Sequence, residues 1–349
     1  MSNLNLLRKT THGPLDADRA VMRSAMLCRG VNSRMPVVFG GKKIATVGWD
    51  PISDSIWAAP FTGDDDLFAK TSLAIPKTFS TIFTKVAANS FTANQYYDLW
   101  PCSGDPNGGT YPGAAATAYV HSPSTDPGFP SLGPPLVSAE TRHITGIGIW
   151  GKTSFNTPPS MFILYDRVLV YNACAVVNAL TNMTNTVVAT RYAGVGVQIM
   201  VTLQTVLGAG STMTALSYNN QAGATKSMPG GSLALIGSGQ QPAATIASTV
   251  LTPLASVPLW LPLVAGDYGV QRINSWTCNS AQTGAICFVL AKPLCTIDIP
   301  VLHQKTTYDY VRQQVNLSQL ADDACLSLVG KLPGNDAFVV GVSVDTARG

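Results

Sequence analysis

The segment "GIGIWGKT", Gly146 to Thr153, carries the pattern G-x-x-x-x-G-K-[ST] that cradles nucleotide phosphates, and overlaps a G-x-G-x-x-G. The following "MFILYD", ending at Asp166, offers an acidic partner for magnesium. Such a loop works only where a strand ends and a helix begins, so that helix N–H groups point at the anion. Here Thr153 is followed by "SFNTPPS", in which Pro158 and Pro159 remove N–H groups and push the preceding residue out of helical geometry. Twelve residues separate Thr153 from Asp166, too few for the crossover that parallel strands need. The pattern therefore predicts a strand over 143–150, a Pro-rich turn and a second strand over 161–171. Gly146 and Gly148 then relieve crowding within the strand, and Lys152 lies in a solvated turn.

Other residues with chemical potential resolve in the same direction. Asp64, Asp65 and Asp66 lack the alternating ligands and terminal Glu of a calcium loop and read as a solvated turn. Asp322 and Asp323 read as a turn entering a strand. The four histidines (His12, His121, His143, His303) have no other ligand type at metal-site spacing, so no metal or cofactor is expected. No G-x-S-x-G elbow occurs and no nucleophile has a local base, which argues against an enzyme. Tyr96, Tyr97 and Trp100 in "YYDLW" offer stacking surfaces for a sugar or base, but the alternation and Pro101 favour partly buried aromatics at a strand end.

The elements that must position these residues are mostly strands. Runs at 78–87 ("TFSTIFTKVA"), 143–150, 161–171, 195–207, 211–219, 231–237, 257–264, 269–278, 284–298, 323–330 and 337–344 alternate or are continuously apolar. "GAGS" between 195–207 and 211–219 signals a hairpin. The sum is an all-β chain, an antiparallel jelly-roll-like β-sandwich. Residues 15–29 form the best helix, with Asp16 as cap and Gly30 as stop. Two units follow: a basic arm with one helix at 1–45, and a sandwich at 46–349. A long Gly/Pro-rich loop at 101–139 interrupts the sandwich, and its prolines suggest a fixed course over a neighbour.

Composition bears on partners. Charged residues make up 12% of 349, while there are 31 glycines and 23 prolines. Such a surface is poor in repulsion and suits packing against neighbours. Residues 1–45 hold eight basic and two acidic residues, a net +6, so in a chain of net +3 the rest is −3. Arg8, Lys9, Arg19, Arg23, Arg29 and Arg34 make this leader a candidate anchoring arm for acidic protein or nucleic acid. Seven cysteines, without a C-x-x-C pair and several within apolar runs, read as reduced, buried small hydrophobes, Cys287 and Cys295 among them. The leader lacks the apolar core of a secretory signal, and no apolar run reaches the ~18 residues of a membrane span. Synthesis in a reducing cytoplasm fits both.

The ordered phrases "YYDLWPCSGDPNGGTYPG", "RHITGIGIW", "FILYDRVLVYNA", "TRYAGVGVQIMVTL", "SYNNQAG", "LPLVAGDYGVQRINS" and "ADDACLSLV" resemble the β-rich, capsid-associated structural proteins of tailed bacteriophages, from about residue 91 onward. The resemblance implies a virion protein, an auxiliary, cement or decoration subunit. Its partners would be the major capsid protein and further copies of itself. It implies no catalytic residues. The alternatives are the shell-forming or neck subunit, a glycan-binding sandwich module, and a P-loop NTPase built on Gly151, Lys152 and Thr153.

Overall fold

The computed structural model describes residues 35–39, 42–47, 78–87, 96–137, 140–152, 160–205, 207–208, 211–229, 233–235, 259–299, 304–313, 317–331 and 338–348. Of these, 58% are in strands and 3% in helices, with no helix of seven or more residues. The helix expected over 15–29, the arm residues Arg8, Lys9, Arg19, Arg23, Arg29 and Arg34, and Asp64–Asp66 lie outside the described residues.

The strands in chain order are β1 (Met35–Phe39), β2 (Lys42–Val47), β3 (Thr78–Ala87), β4 (Tyr96–Asp98), β5 (Ser103–Asp105), β6 (Ala118–Val120), β7 (Arg142–Lys152), β8 (Ser160–Ala175), β9 (Thr181–Asn182) and β10 (Gln198–Thr205). They continue with β11 (Ser211–Asn220), β12 (Thr225–Ser227), β13 (Leu233–Leu235), β14 (Val270–Cys278), β15 (Ala285–Ile299), β16 (Lys305–Asp309), β17 (Gln319–Leu320), β18 (Leu326–Lys331) and β19 (Phe338–Arg348). β1 and β2 form a separate two-stranded sheet that spans position 45.

The remaining strands build three antiparallel sheets in a jelly-roll-like sandwich arrangement. A central sheet runs β10-β15-β8-β18-β4, with β6 also on β8. A second runs β12-β11-β14-β9, with β13 on β11. A third runs β16-β7-β19-β3-β5, with β17 on β7. The long strands β8 and β15 make the central sheet common to two cores. Phe162 and Leu164 of β8 join Ile297 of β15 and Ile147, Ile149, Val342 and Val344 of the third sheet. Further along, Leu169 and Tyr171 join Ile286, Phe288 and Leu290 against Met213, Leu216, Ile273 and Trp276 of the second sheet.

One strand can serve both cores because of a bulge. Arg167 pairs with Ala291 and Leu169 with Leu290, so Val168 is an extra residue in β8. An inserted residue inverts side-chain parity, bringing 162, 164 and then 169, 171 to the same face. On the opposite face, Ile163, Tyr165 and Val170 lie with Met200, Cys287 and Val289.

Two expectations fail here. β10 and β11 do not pair, so "GAGS" does not close a hairpin; the chain crosses from the central to the second sheet, and the strands face each other across a core shared by Leu203, Leu207 and Met213. Such corners are how sandwiches change sheet. The expected strand at 257–264 is absent over its described part. Leu261 gives one N–H bond to Ile199 (2.8 Å), but Pro258 and Pro262 cannot donate to a ladder.

Candidate functional site: a buried charge network beneath the proline-rich loop

The segment 99–137 packs in part on the face of the central sheet that carries Tyr165 and Val170, while Leu99 and Leu132 enter the core with the third sheet and Ala118 the core with the second. Trp100 and Phe129 are buried there with Cys325, and half-buried Tyr111 and Tyr119 pack beside them. The loop thus has a fixed course over the chain's own sheet. Eight prolines between 101 and 137 remove eight N–H groups, so the segment has more carbonyls than backbone donors. Buried carbonyls need partners, and cationic side chains supply them.

Lys85 illustrates this. In β3 the alternation Thr81, Phe83, Lys85 faces inward, and Lys85 is 1% exposed. Its ammonium lies 3.3–3.5 Å from the carbonyls of Trp100, Cys102, Pro106, Asn107 and Gly128. Burial lowers its pKa, while Cys102 and Asp98 act the other way. At the far end of the loop Arg142 of β7 donates to Pro134 O (2.5 Å) and Arg348 of β19 to Pro135 O (2.7 Å). Asp322 pairs with Arg142 (3.1 Å) and accepts Leu136 N–H (3.0 Å).

Between these ends lies the densest cluster. Arg167 of β8 pairs with Asp98 (2.6 Å), both side chains being wholly inaccessible. Asp98 also accepts the Tyr165 hydroxyl (2.5 Å) and Trp100 N–H (3.1 Å). The Arg167 guanidinium stacks on the Trp100 ring, 4.1 Å from its centroid. Burial is the largest influence and opposes the Arg167 charge, yet Asp98, Tyr165 and Tyr111 together outweigh it and the pKa rises. Arg167 Nε–H donates to His121 Nε2 (3.1 Å), which forces the imidazole proton onto Nδ1, where it meets Asp126 (3.1 Å). Burial, with Arg167 and Arg191 nearby, holds His121 down at about 4 despite Asp126. Asp126 further accepts Tyr119 OH (2.7 Å) and Ser122 N–H (2.9 Å); burial raises its pKa, but these bonds and His121 bring it below the usual value.

Arg191 ties the loop to the sheet. It donates to the carbonyls of His121, Arg167 and Asp323 at 2.7 Å each and pairs with Asp166 (3.2 Å) and Asp323 (3.4 Å). It opens a tight turn in which Tyr192 (φ 59°), Ala193 (φ 48°) and Gly194 (φ 78°) are all left-handed. Such strain persists where surroundings over-determine the backbone. The ion pairs of Arg191 and the Ala321 N–H bond to Tyr192 OH (3.1 Å) do so here.

The Asp126–His121 pair has the composition of a general-base dyad. It cannot take a substrate proton, because Nε2 already accepts from Arg167 and the ring lies against Trp100 and Phe129. Among the described residues no group of three or more His, Cys, Asp or Glu could hold a metal ion.

The residues singled out in the sequence fall as follows. Gly146, Gly148 and Gly151 lie inside β7, so the phosphate-loop pattern is a strand in the sheet. Lys152 is the last residue of that strand rather than a turn residue, because β7 runs two residues further than the pattern suggested. Asp166, the supposed magnesium partner, is the buried counter-ion of Arg191. Tyr97 and Trp100 are 1% and 0% exposed and offer no stacking platform; Tyr96 is half-buried. Asp322 and Asp323 do form a turn, and both carboxylates are in ion pairs. Cys102, Cys174, Cys278, Cys287, Cys295 and Cys325 are free thiols; Cys287 is buried as expected, but Cys295 is only partly so. Arg167, His121 and Lys85 were missed, although Asp166-Arg167 inside the apolar "FILYDRVLVY" is a signal: charges in such a run must be buried with partners.

Fold and network together define an all-β antiparallel protein with a proline-rich loop stapled by buried cations. No family model matches the chain, and no curated protein matches it. Among solved structures, one described as "Structure of infectious bursal disease virus Gt strain" aligns with 7% identity over 79% of this chain and 82% of that one, with a TM-score of 0.18.

Proposed function

We propose that the chain is a structural virion protein of a tailed bacteriophage, a capsid-associated auxiliary, cement or decoration subunit. The observation that carries the reading is the stapled loop. Lys85, Arg142, Arg167, Arg191 and Arg348 are buried, and their charge is spent on the chain's own carbonyls and carboxylates. Fully paired buried charges fix the course of the loop on the body, which suits a subunit that presents a set surface to its neighbours. Low charge content and the phage-like phrases support the same role, and in this reading the basic leader (Arg8, Lys9, Arg19, Arg23, Arg29, Arg34) is the anchor. The test is electron microscopy of purified particles with and without this chain, with mass spectrometry of their composition. The proposal expects the chain in stoichiometric amount and extra density or greater shell stability when it is present. Its absence from purified particles contradicts the proposal.

A further inference from the structure

The stretch 122–131 is fastened to the molecule differently from the strands around it. Among the described residues its backbone–backbone bonds are internal, from Thr125 and Asp126 N–H to Ser122 O. The last ladder before it is β6 on β8, extended by His121 N–H to Val168 O (3.2 Å). Side chains hold the rest. Phe129 lies against Trp100 and His121, with ring centroids 5.8 and 5.3 Å away, and Lys85 donates to Gly128 O (3.4 Å). Asp126 accepts from His121, Tyr119 OH and Ser122 N–H. Segments with few backbone bonds to the body open before the sheets do.

At the root of this stretch, His121 has no place for a second proton. Its Nε2 accepts from Arg167 Nε–H (3.1 Å) and its Nδ1–H is turned to Asp126 (3.1 Å). A guanidinium has no acceptor, so a proton on Nε2 points at an N–H and sets cation against cation. Asp126 does not relieve this, because it lies at the other nitrogen. Nor is the ring free to turn away: Trp100, Tyr119 and Phe129 meet it edge-on at 5.2, 5.6 and 5.3 Å between centroids, and its side chain is inaccessible. The other charged groups around it are engaged elsewhere. Arg191 donates to the His121 carbonyl (2.7 Å) and pairs with Asp166 and Asp323, while Asp98 is held by Arg167, Tyr165 and Trp100 N–H. Cys325, just before β18, completes the lining with Trp100 and Phe129. Burial, with Arg167 and Arg191, holds His121 at about 4 despite Asp126, against about 6.5 in an open chain.

We propose that His121 is an acid-operated latch: its protonation lifts the stretch 122–131 off Trp100 and Arg167 and uncovers Cys325, while the sheets stay paired. This does not rest on the virion role. Opening frees the ring, so each pH unit between about 6.5 and 4 raises the opening constant about tenfold, on the order of a hundredfold between pH 7 and 4. The test reacts the full chain with 4,4′-dithiodipyridine, which modifies thiols even in acid, from pH 7 to pH 4. The modified cysteines are mapped by mass spectrometry, and each rate is divided by that of free cysteine at the same pH. Cys325 reports the latch, and Cys278, buried in the core beneath the second sheet, reports the sheets. The Cys325 rate should rise on the order of a hundredfold, beginning below about pH 6.5, with Cys278 unchanged. In His121→Gln, which keeps one acceptor and one donor, the rise should vanish. A Cys325 rate that stays flat, or that rises in step with Cys278, overturns the proposal. A rise that persists in folded His121→Gln overturns it too, as does one that begins only below about pH 4, where carboxylates such as Asp126 take up protons. The onset is read on the wild type, so it decides the matter even where the variant fails to fold.

Discussion

Two buried clusters of this molecule are held by different forces. Between the central and second sheets, Leu203, Leu216, Ile273, Phe288 and Leu290 form an apolar core whose tyrosines and thiols, such as Tyr171 and Cys174, are held neutral by burial. The loop at 99–137, by contrast, is held by Lys85 of the third sheet, by Arg167 of the central sheet, and by His121 and Arg191. The difference follows from the backbone. Paired strands satisfy their own N–H and C=O groups and need only apolar side chains between them, whereas a proline-rich loop brings carbonyls without donors. Charges are an expensive way to supply those donors, and they make the region sensitive to the loss of one partner.

The largest expected effect tests that sensitivity. Arg167→Met leaves Asp98 buried and unpaired and should cost about 3–5 kcal/mol in denaturant unfolding. Adding Asp98→Asn should recover part of the loss, since Asn still accepts from Tyr165 and Trp100. In the hydrocarbon core the opposite rule holds: Leu203→Ala should cost about 2–5 kcal/mol, and a second truncation beside it should only add to the damage. If the Arg167 and Asp98 changes simply add, the two regions do not differ as described.

A smaller effect separates the regions by pH. His121 titrates at about 4 in the folded protein, below its ordinary unfolded value of about 6.5. Between these values the unfolded chain binds a proton that the folded chain refuses. Stability is therefore fully present above about pH 6.5 and is lost as the pH falls towards 4, by on the order of 3 kcal/mol. His121→Gln keeps one acceptor and one donor without titrating, and should flatten this part of the profile. Leu203→Ala should shift the whole profile without changing its slope. The smallest effect concerns Arg191, whose partners are Asp166, inaccessible, and Asp323, whose side chain is 58% exposed. Asp323→Asn should change stability by no more than about 1 kcal/mol, well below the cost of Asp166→Asn in the same melts.

Much of the sheet framework could be read from the chain. "TFSTIFTKVA" alternates and is β3 to the residue, and "GIGIWGK" reads as a strand because Pro158 and Pro159 exclude a helix. What escaped was tertiary. "GAGS" carries the local chemistry of a hairpin, and only packing across the core decides that β10 and β11 belong to different sheets. β16, short and polar, lacks a hydrophobic period of its own and depends on β7 for its pairing. The network was half legible: alternation alone puts Lys85 on the inward face with Thr81 and Phe83, but nothing local says that five carbonyls of a loop meet it there.

The claim that this loop is part of the fold, held by buried cations, is tested most directly by hydrogen exchange of its backbone amides in wild type and Lys85→Met. Gly109 N–H bonds Trp100 O (2.9 Å), Ala118 N–H bonds Thr184 O (2.9 Å) and His121 N–H bonds Val168 O (3.2 Å). In the wild type these amides should be protected to a degree approaching that of β8 and β15. In Lys85→Met the Gly109 amide should exchange much faster while the amides of β8 and β15 stay as they were. Wild-type loop amides that exchange at open-chain rates, or a Lys85→Met protein whose loop is protected as before, would contradict the account.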